Sequence, residues 1–400
     1  MLKFLPSLFH QNCQNISPLL SFSENTNLPN IRHCSCNDSA EQNKNLSAVL
    51  HGKTDLRMEN RPIPKHGANQ VLLQMEVVGI CGSDVHFYLD GKLGPFVVKS
   101  PMVIGHEGSG TVLECGEDVV NLKPGDKVAI EPQMSCKKCN FCKSGNYHLC
   151  PDIYFCATPP DDGNLSRYYV HDADFCHKLP CSLDFEHGTL MEPLAVGVHA
   201  CKRAEVSCGD SVLIIGSGPI GLVSLLAARA YGASRTLVLD IDDFKIQKAL
   251  QLGADCAINV KGCEDKAIVK SIHDIFGHHP HKTIECCGFE KTFRIGMEAT
   301  RSGGKMALVG MATDKAHLPI GECIFREVDL LGVFRYANDY PTAIKMVESG
   351  IFDPKPLITH HFKLEDAKKA FETASGKKES FIKIMIHANP KWQPLNKEKC

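Results

Sequence analysis

A glycine-rich turn constrains the fold of this chain more than any other feature. Gly216, Gly218 and Gly221 form a G-x-G-x-x-G pattern between an apolar strand pattern and a helix pattern, and Asp240 follows nineteen residues after the last glycine. The first glycine permits a tight turn, the second lets the backbone approach a pyrophosphate, and the third lets the helix pack on the strand. The helix N-terminus adds partial positive charge. The pattern predicts a dinucleotide site, and Asp240 favours NAD over NADP because its carboxylate would repel a 2′-phosphate.

The predicted secondary structure changes near residue 193, from short strands to alternating strands and helices. Residues 46–192 show short alternating runs broken by glycine and proline, such as "QVLLQMEVVGI", "GSGTVLECG" and "KPGDKVAIEP", which predict β-strands closed by turns. From residue 193 to 334, strands alternate with helices, which predicts βαβ units and a parallel sheet. Residues 335–400 end in a helix and the strand "FIKIMIHA", and we expect them to return to the first domain. The expected fold class is α/β, with a mostly β domain and a doubly wound parallel-sheet domain.

Composition excludes several classes of protein. The net charge of −2 offers no basic face for a nucleic acid, and 20 cysteines in 400 residues are typical of reduced thiols rather than of a disulfide framework. We therefore expect a cytoplasmic protein without a nucleic-acid or membrane partner. Residues 1–45 are rich in Asn and Ser and lack periodicity, so we expect a disordered extension. The alternative is a mitochondrial presequence, because no acid precedes Glu24, although the first arginine is only Arg32.

Four cysteines lie at metal-ligand spacing in "CKKCNFCKSGNYHLC". They are Cys136, Cys139, Cys142 and Cys150, a C-x2-C-x2-C-x7-C pattern. Four thiolates on one loop close a tetrahedron around zinc with no open position, which is a structural site. An iron–sulfur ligand run is the alternative. The late fourth cysteine and the neighbouring lysines favour zinc.

A second set of metal-ligand residues is dispersed along the chain. It consists of Cys81 in "GICGSDVH", His106 and Glu107 in "GHEGSG", and Glu192 in "LMEPLAVG". Each residue alone has an ordinary structural explanation. Together they supply one sulfur, one nitrogen and one or two carboxylate oxygens, with a position left for water or substrate. That set is typical of a catalytic zinc.

These motifs resemble the zinc-containing medium-chain dehydrogenases, and within them the sorbitol (polyol) dehydrogenases. The resemblance extends over nearly all of residues 46–390 and includes "VGICGSDVH", "PMVIGHEGSGTV", "FCATPPDDGNL", "MEPLAVGVHA", "GSGPIGLV" and "REVDLLGVFRY". It implies a GroES-like catalytic domain, a Rossmann NAD domain and a homotetramer. The implied reaction is oxidation of a polyol such as sorbitol, xylitol or L-iditol to a ketose, with NAD as the oxidant.

The resemblance also implies roles for individual residues. Cys81, His106 and Glu107 would hold zinc, with Glu192 near the bound water or as an alternative ligand. Zinc would lower the pKa of the alcohol, and Ser83 would pass its proton through the cofactor ribose to His86. The polyol pocket would be lined by Phe87, Phe155, Thr158, Glu192, Arg335 and Tyr336. Besides Gly216, Gly218, Gly221 and Asp240, the dinucleotide would contact Ile220, Lys245, Val309, Gly310, Met311, Val333, Phe334 and Arg335.

Two points stay open at the level of sequence. Polyol dehydrogenases often carry Tyr where this chain has Phe87, so that hydroxyl contact is either missing or supplied by Tyr88. For Arg335, a structural salt bridge is the plain alternative to a substrate contact.

Other functions also fit the motifs. One is a different zinc dehydrogenase, acting on xylitol, threonine or a simple alcohol, and another is a non-catalytic, crystallin-like protein. The second predicts eroded zinc ligands, yet all four candidates are present.

Overall fold

The computed structural model describes residues 44–376 and 380–393. The extension predicted for residues 1–45, and its alternative as a presequence, therefore lie almost entirely outside the described residues. Within the described part of the chain, no helix is long and apolar enough to cross a membrane.

The first half of the described chain forms short strands, as the glycine and proline spacing predicts. The strands are β1 (Asn45–Gly52), β2 (Asp55–Arg61), β3 (Gln70–Gly79), β4 (Lys92–Leu93), β5 (Phe96–Val97), β6 (Met102–Val103), β7 (Glu107–Cys115), β8 (Lys127–Ile130), β9 (Gln133–Met134), β10 (Tyr154–Phe155), β11 (Tyr168–Asp172) and β12 (Cys176–Lys178). The helices among and after them are α1 (Gly82–Asp90), α2 (Asn140–Lys143) and α3 (Phe185–Arg203). The three sequence runs quoted for this region contain β3, β7 and β8.

The second half forms the predicted parallel sheet. Its elements are β13 (Ser211–Ile215), α4 (Pro219–Ala230), β14 (Arg235–Asp240), α5 (Asp243–Gln251), β15 (Cys256–Asn259), α6 (Asp265–Phe276), β16 (Lys282–Glu285), α7 (Glu290–Ala299), β17 (Lys305–Leu308), α8 (Ile320–Arg326) and β18 (Asp329–Gly332). The strand order is β15-β14-β13-β16-β17-β18, with all pairs parallel. The order reverses between β13 and β16, which is where open α/β sheets bind ligands. The glycine-rich turn follows β13.

The last segment of the chain returns to the sheet that contains β3, β7 and β8, here called the first sheet. It contains α9 (Tyr340–Glu348), β19 (Ile358–Lys363), α10 (Ala367–Ser375) and β20 (Lys383–His387). The sheet order is β12-β8-β7-β3-β20-β19, and β11 also pairs with β3. All pairs are antiparallel except β19 with β20. This placement agrees with a return of the chain after residue 335, while the domain boundaries themselves stay predictions.

One helix crosses the expected boundary at residue 193. Pro193, with which the second expected domain begins, lies inside α3. Leu190, Leu194 and Val198 recur every four residues on α3 and are fully buried. They belong to a core that also includes residues of β13, α4 and α9 and, from the first sheet, Val77 and Ala129. The helix therefore packs against both the seven-stranded and the six-stranded sheet. Truncation of Leu194 to alanine is expected to lower the free energy of unfolding by about 2–5 kcal/mol.

Candidate active site and metal centres

The register of two strands brings the dispersed metal-ligand residues together. β3 and β7 are antiparallel neighbours in which Gly79 pairs with Glu107. Cys81 follows Gly79 by two residues, and His106 directly precedes Glu107. The donor atoms of Cys81, His106 and Glu107 all lie within 4.8 Å of one another. A soft sulfur, an imidazole nitrogen and a carboxylate oxygen so close together are a donor set that suits zinc and leaves a fourth position open.

Gly79 is needed because the chain passes very close to the glutamate. A Cβ on Gly79 would lie 2.2 Å from one Glu107 oxygen. Nothing lies within 4 Å of the corresponding position on Gly82. Of the two glycines that flank Cys81 in the motif, Gly79 alone is required by a close approach.

Asp84 orients two of the three donors. Cys81 is the N-cap of α1, and its backbone N–H donates to Asp84 Oδ2 at 3.0 Å. The other oxygen of Asp84 lies 3.2 Å from Nδ1 of His106. Burial opposes a charge on His106, but the Asp84 carboxylate outweighs it and raises the pKa of His106 well above its usual value. A carboxylate behind a ligating histidine fixes its ring and makes it a stronger base toward a metal.

Glu107 is held from behind by a buried lysine. Nζ of Lys383 in β20 lies 2.7 and 2.8 Å from the two Glu107 oxygens and donates to the carbonyl of Ile80 at 3.2 Å. Both side chains are at most 2% exposed. Each carboxylate oxygen has two acceptor positions, so Glu107 keeps capacity to bind a metal while it accepts from Lys383.

Glu192 lies in the buried part of α3. Its Oε1 accepts a hydrogen bond of 2.8 Å from the Tyr336 hydroxyl. Burial raises the pKa of Glu192 to about 7, and the positive charge of His106 only partly opposes this effect. A carboxyl group with this pKa exchanges a proton near neutral pH, which is unusual for glutamate.

The four predicted lobe cysteines also come together. The sulfur atoms of Cys136, Cys139, Cys142 and Cys150 lie within 4.8 Å of one another. Backbone N–H groups point at them: that of Cys142 lies 3.5 Å from the sulfur of Cys139, and that of Cys136 lies 3.5 Å from the sulfur of Cys150. Backbone hydrogen bonds lower the pKa of Cys136 to about 6. This lobe has the closed, four-sulfur donor set of a structural zinc site.

The glycine-rich turn has the geometry that its spacing predicts. Gly216 has φ of 98°, and a Cβ on Gly221 would lie 1.7 Å from the carbonyl oxygen of Gly216. No atom lies within 4 Å of where a Gly218 Cβ would be, which agrees with the room that a pyrophosphate needs. Asp240 ends β14, and its Oδ2 accepts from the backbone and hydroxyl of Ser217 at 2.7 and 3.0 Å.

The other predicted cofactor residues lie at the same edge of the parallel sheet. Ile220 lies at the start of α4 and Lys245 near the start of α5. The ranges 309–311 and 333–335 follow the carboxyl ends of β17 and β18. Because carboxyl ends of parallel strands share one edge, these residues lie along the edge where a dinucleotide is expected. Their contacts with a cofactor stay predictions.

Arg335 is held by aromatic rings and not by an acid. Its guanidinium carbon lies 4.0 Å from the centre of the Phe155 ring and 4.7 Å from that of Phe334. Burial lowers the pKa of Arg335 to about 10. It makes no ion pair within the described residues, so the structural salt bridge is not found. The Phe155 ring, on which Arg335 packs, also lies 5.8 Å from that of His106. No hydrogen bond of the Arg335 guanidinium is found among the described residues.

The remaining predicted pocket residues have different surroundings. The Thr158 backbone N–H donates to the carbonyl of Phe155 at 3.0 Å, so one turn holds both residues. Phe87 and Tyr88 are buried in the core of the first sheet. The Tyr88 ring packs 5.5 Å from that of Phe371 in α10. This packing concerns the Tyr88 ring and not its hydroxyl, so a substrate contact from Tyr88 stays a prediction.

The predicted proton relay lies on one face of α1. Ser83 and His86 are three residues apart in this helix, which places them on adjacent turns. Ser83 is half-buried and His86 is exposed, and Nδ1 of His86 lies 3.2 Å from Oδ2 of Asp90. Exposure to solvent therefore increases from Ser83 to His86. Its function stays a prediction.

Sequence reasoning missed two residues that shape the site, Asp84 and Lys383. Asp84 follows Cys81 by three residues, the spacing of a capping box, and that spacing was a usable signal. Lys383 is a single charge within the apolar strand "FIKIMIHA". A buried lysine needs a partner, but nothing in the local sequence identifies Glu107 as that partner.

Comparison with family models assigns both halves of the chain. Residues 67–181 match the alcohol dehydrogenase GroES-like domain, and residues 219–349 match the zinc-binding dehydrogenase domain. Together the two matches extend over more than half of the chain.

Curated relatives of similar length share about half of their residues with this chain. Sorbitol dehydrogenase of Bos taurus is 51% identical over 352 residues, which is 88% of this chain and 98% of the relative. Sorbitol dehydrogenase of Rattus norvegicus is 52% identical over 347 residues, or 87% of this chain and 97% of the relative.

Solved structures show the same fold. An Escherichia coli oxidoreductase/dehydrogenase of unknown specificity superposes with a TM-score of 0.82 at 36% identity, over 86% of this chain and 99% of that one. L-Idonate 5-dehydrogenase of the same species gives a TM-score of 0.80 at 30% identity, over 86% of this chain and 98% of that one. A short chain alcohol dehydrogenase of Escherichia coli complexed with NADH gives 0.80 at 25% identity, over 86% and 99%.

Proposed function

The chain belongs to the zinc-dependent alcohol dehydrogenase family with a GroES-like domain, and on this premise we propose that it oxidises a polyol to a ketose with NAD. Sorbitol, oxidised to fructose, is the proposed substrate, and xylitol and L-iditol are related candidates. Similarity to sorbitol dehydrogenases over most of the chain supports this assignment.

The observation that carries the proposal is the convergence of Cys81, His106 and Glu107. Cys81 follows β3 and caps α1, while His106 directly precedes β7 and Glu107 begins it. Their donor atoms nevertheless lie within 4.8 Å of one another. Glu192 is the fourth residue of the predicted set. It lies close enough to His106 and Glu107 for their charges to shift its pKa. The complete donor set argues against the non-catalytic alternative, in which such ligands need not be kept.

Zinc would polarise the reacting hydroxyl as a Lewis acid, and NAD would serve as the oxidant. Cys81, His106 and Glu107 would hold the metal, with Asp84 and Lys383 fixing two of these ligands. Glu192 and Tyr336 form a buried pair that would orient a water molecule or a substrate hydroxyl. Ser83 would accept the proton released from the alcohol, and His86 would deliver it to solvent.

We assign polyol recognition to the N–H donors of Arg335, which make no hydrogen bond within the described residues. The guanidinium is planar, carries several N–H groups and lies 4.0 and 4.7 Å from the centres of the Phe155 and Phe334 rings. A fixed group with several donors suits a substrate with several adjacent hydroxyls. Asp240 would bind the ribose of NAD and disfavour NADP.

Metal content and activity together test the proposal. Parent enzyme is expected to contain two zinc atoms per chain and to oxidise sorbitol with NAD. Cys81→Ser is expected to retain one zinc atom and little activity, whereas Cys208→Ser, which changes an exposed thiol, should match the parent. Full turnover by metal-free enzyme would refute the proposal, and faster turnover of a short monoalcohol than of sorbitol would favour a different substrate.

We further propose a homotetramer that works in the cytoplasm. The family resemblance supports the assembly, and the large number of cysteines supports a reducing compartment. Sedimentation equilibrium of the full chain tests the first part, and localisation of the full chain in cells tests the second.

A further inference from the structure

A third cluster of metal-ligand residues lies outside the two described above. It consists of Glu186, His361 and His387, whose donor atoms lie within 4.8 Å of one another. Glu186 is in the first turn of α3, His361 in β19 and His387 in β20. β19 and β20 are parallel, and His361 pairs with Met385. His387 lies two residues beyond that partner, so both imidazoles are on the same face of the sheet.

The three donor atoms have the separations of a metal site. Nδ1 of His361 lies 3.0 Å from Nε2 of His387, and Oε1 of Glu186 lies 3.6 and 3.9 Å from these two nitrogens. The nearest point equidistant from these three atoms lies in their plane, about 2.0–2.1 Å from each, which matches the distance of zinc from imidazole nitrogen or carboxylate oxygen. A hydrogen bond between the two imidazoles accounts for the 3.0 Å distance between their nitrogens. The carboxylate oxygen is too far from either nitrogen for a hydrogen bond, and its distances are those of an ion pair or of ligands that share one metal ion.

The surroundings leave these donors available. Lys355 binds Glu186 through the other oxygen, Oε2, at 2.8 Å, so Oε1 faces the imidazoles. Trp392 stacks on His387 with ring centres 3.8 Å apart and fixes that ring. The side chain of His387 is 3% exposed and that of His361 is 38% exposed, so the cluster is fixed on one side and open to solvent on the other. Three protein ligands with one open side are a common arrangement for zinc.

We propose that Glu186, His361 and His387 form a third zinc site that clips the start of α3 to the β19–β20 pair. All three donors are nitrogen or oxygen, so this site differs chemically from the two that contain thiolate sulfur. Zinc bound here connects the helix that carries Glu192 with the strand that carries Lys383. It therefore stabilises the attachment of the returning segment to the rest of the chain.

A zinc titration of the untagged, full-length holoenzyme tests the proposal. After exhaustive dialysis, added zinc is expected to bind as one further equivalent per chain and to raise the melting temperature. His361→Ala should lose that equivalent, with binding weakened by about 100-fold or more, because even outer-shell changes cost about 10–100-fold. His361 is partly exposed, so this substitution leaves the core intact.

His360→Ala is the matched control. His360 precedes His361 in β19, and neighbouring residues of a strand point to opposite faces. This variant should bind the further equivalent as the parent does. Absence of any further equivalent in the parent, or an equal one in His361→Ala, overturns the proposal. The test compares the added zinc bound by the two variants, so its result does not depend on how much zinc the two thiolate sites already contain.

Cobalt gives a second, independent measurement. Cobalt added to the dialysed holoenzyme, whose two thiolate sites keep their zinc and whose third site is free, should produce weak visible absorption. The near-ultraviolet sulfur charge transfer that thiolate ligation gives should be absent. The absorption should be absent in His361→Ala and present in His360→Ala. A signal with thiolate charge transfer would show that the added metal enters one of the cysteine sites, and would overturn the assignment to the third cluster.

Discussion

The catalytic cluster and the four-cysteine lobe hold their ligands by different means. The lobe takes all four sulfurs from residues 136–150, and backbone N–H groups support them. The catalytic cluster takes Cys81 from just after β3, and His106 and Glu107 from the junction where β7 begins. Other side chains support these donors: Asp84 lies behind His106, and Lys383 behind Glu107. The lobe is therefore a local structure, whereas the catalytic cluster exists only when the whole sheet has formed.

This difference predicts different responses to mutation. A backbone N–H cannot be removed by most substitutions, so the lobe depends on little besides its cysteines. The supports of the catalytic cluster are themselves side chains, and each can be removed alone. We expect residues that touch no metal to matter greatly in the catalytic cluster and little in the lobe.

Lys383→Met is expected to have the largest effect. It leaves the Glu107 carboxylate buried without its partner, and breaking a buried ion pair in this way costs about 3–5 kcal/mol. The matched change in the lobe is Lys137→Met, whose partner Asp174 is 2.7 Å away and exposed. An exposed pair contributes about 0–1 kcal/mol. Urea unfolding of both variants measures the difference, and equal losses would contradict the comparison.

Asp84→Asn is expected to weaken zinc binding in the catalytic cluster only. The amide has one oxygen and therefore cannot accept from both Cys81 and His106 as the carboxylate does. Loss of such a support costs about 10–100-fold in metal affinity. Chelator competition measures the two zinc atoms separately, and Asp90→Asn in the same helix is the control. Equal weakening of the lobe zinc would show that Asp84 acts on the fold rather than on the cluster.

Local patterns were sufficient to predict most of the architecture. The parallel sheet follows from apolar strands, glycine turns and helices of regular length, and the cysteine lobe from spacing alone. Gly216 has the positive φ, and Gly221 the close contact, that their motif requires. Each of these features is determined within about thirty residues, the length of one βαβ unit.

Features that depend on distant pairing were not predictable in this way. The salt bridge of Lys383 with Glu107 requires β20 to lie beside β3, and no local period specifies that neighbour. The boundary expected at residue 193 falls inside α3. The spacing of glycines, prolines and apolar runs predicts where strands lie, but it does not reveal that one helix packs against both sheets. The packing of Tyr88 against Phe371 also joins residues distant in the sequence, and no local pattern predicted it.

Gly79→Ala is expected to have an intermediate effect. The new methyl group would lie 2.2 Å from a Glu107 oxygen, so the carboxylate or the strand must shift. Overpacking of this kind costs about 1–3 kcal/mol, and here it also moves a metal ligand and lowers kcat. Gly82→Ala adds the same methyl group into open space three residues away and should change neither stability nor kcat. Similar activities in both variants would show that Glu107 tolerates displacement.

Tyr336→Phe is expected to have the smallest effect, seen in the pH dependence rather than in stability. The Tyr336 hydrogen bond lowers the pKa of Glu192, which burial raises to about 7. Removing the hydroxyl therefore raises this pKa further, and a larger fraction of Glu192 is protonated at a given pH. If the ionised carboxylate is the active form, the acid limb of kcat/KM moves to higher pH. A cation bound nearby lowers the pKa of Glu192 in parent and variant alike, so the prediction concerns the difference between their pH profiles.

Tyr340→Phe is the control, because its hydroxyl donates to the carbonyl of Ile130 at 2.8 Å and makes no hydrogen bond to Glu192. An acid limb that stays in place in Tyr336→Phe but moves in the control would assign the titration to a group other than Glu192.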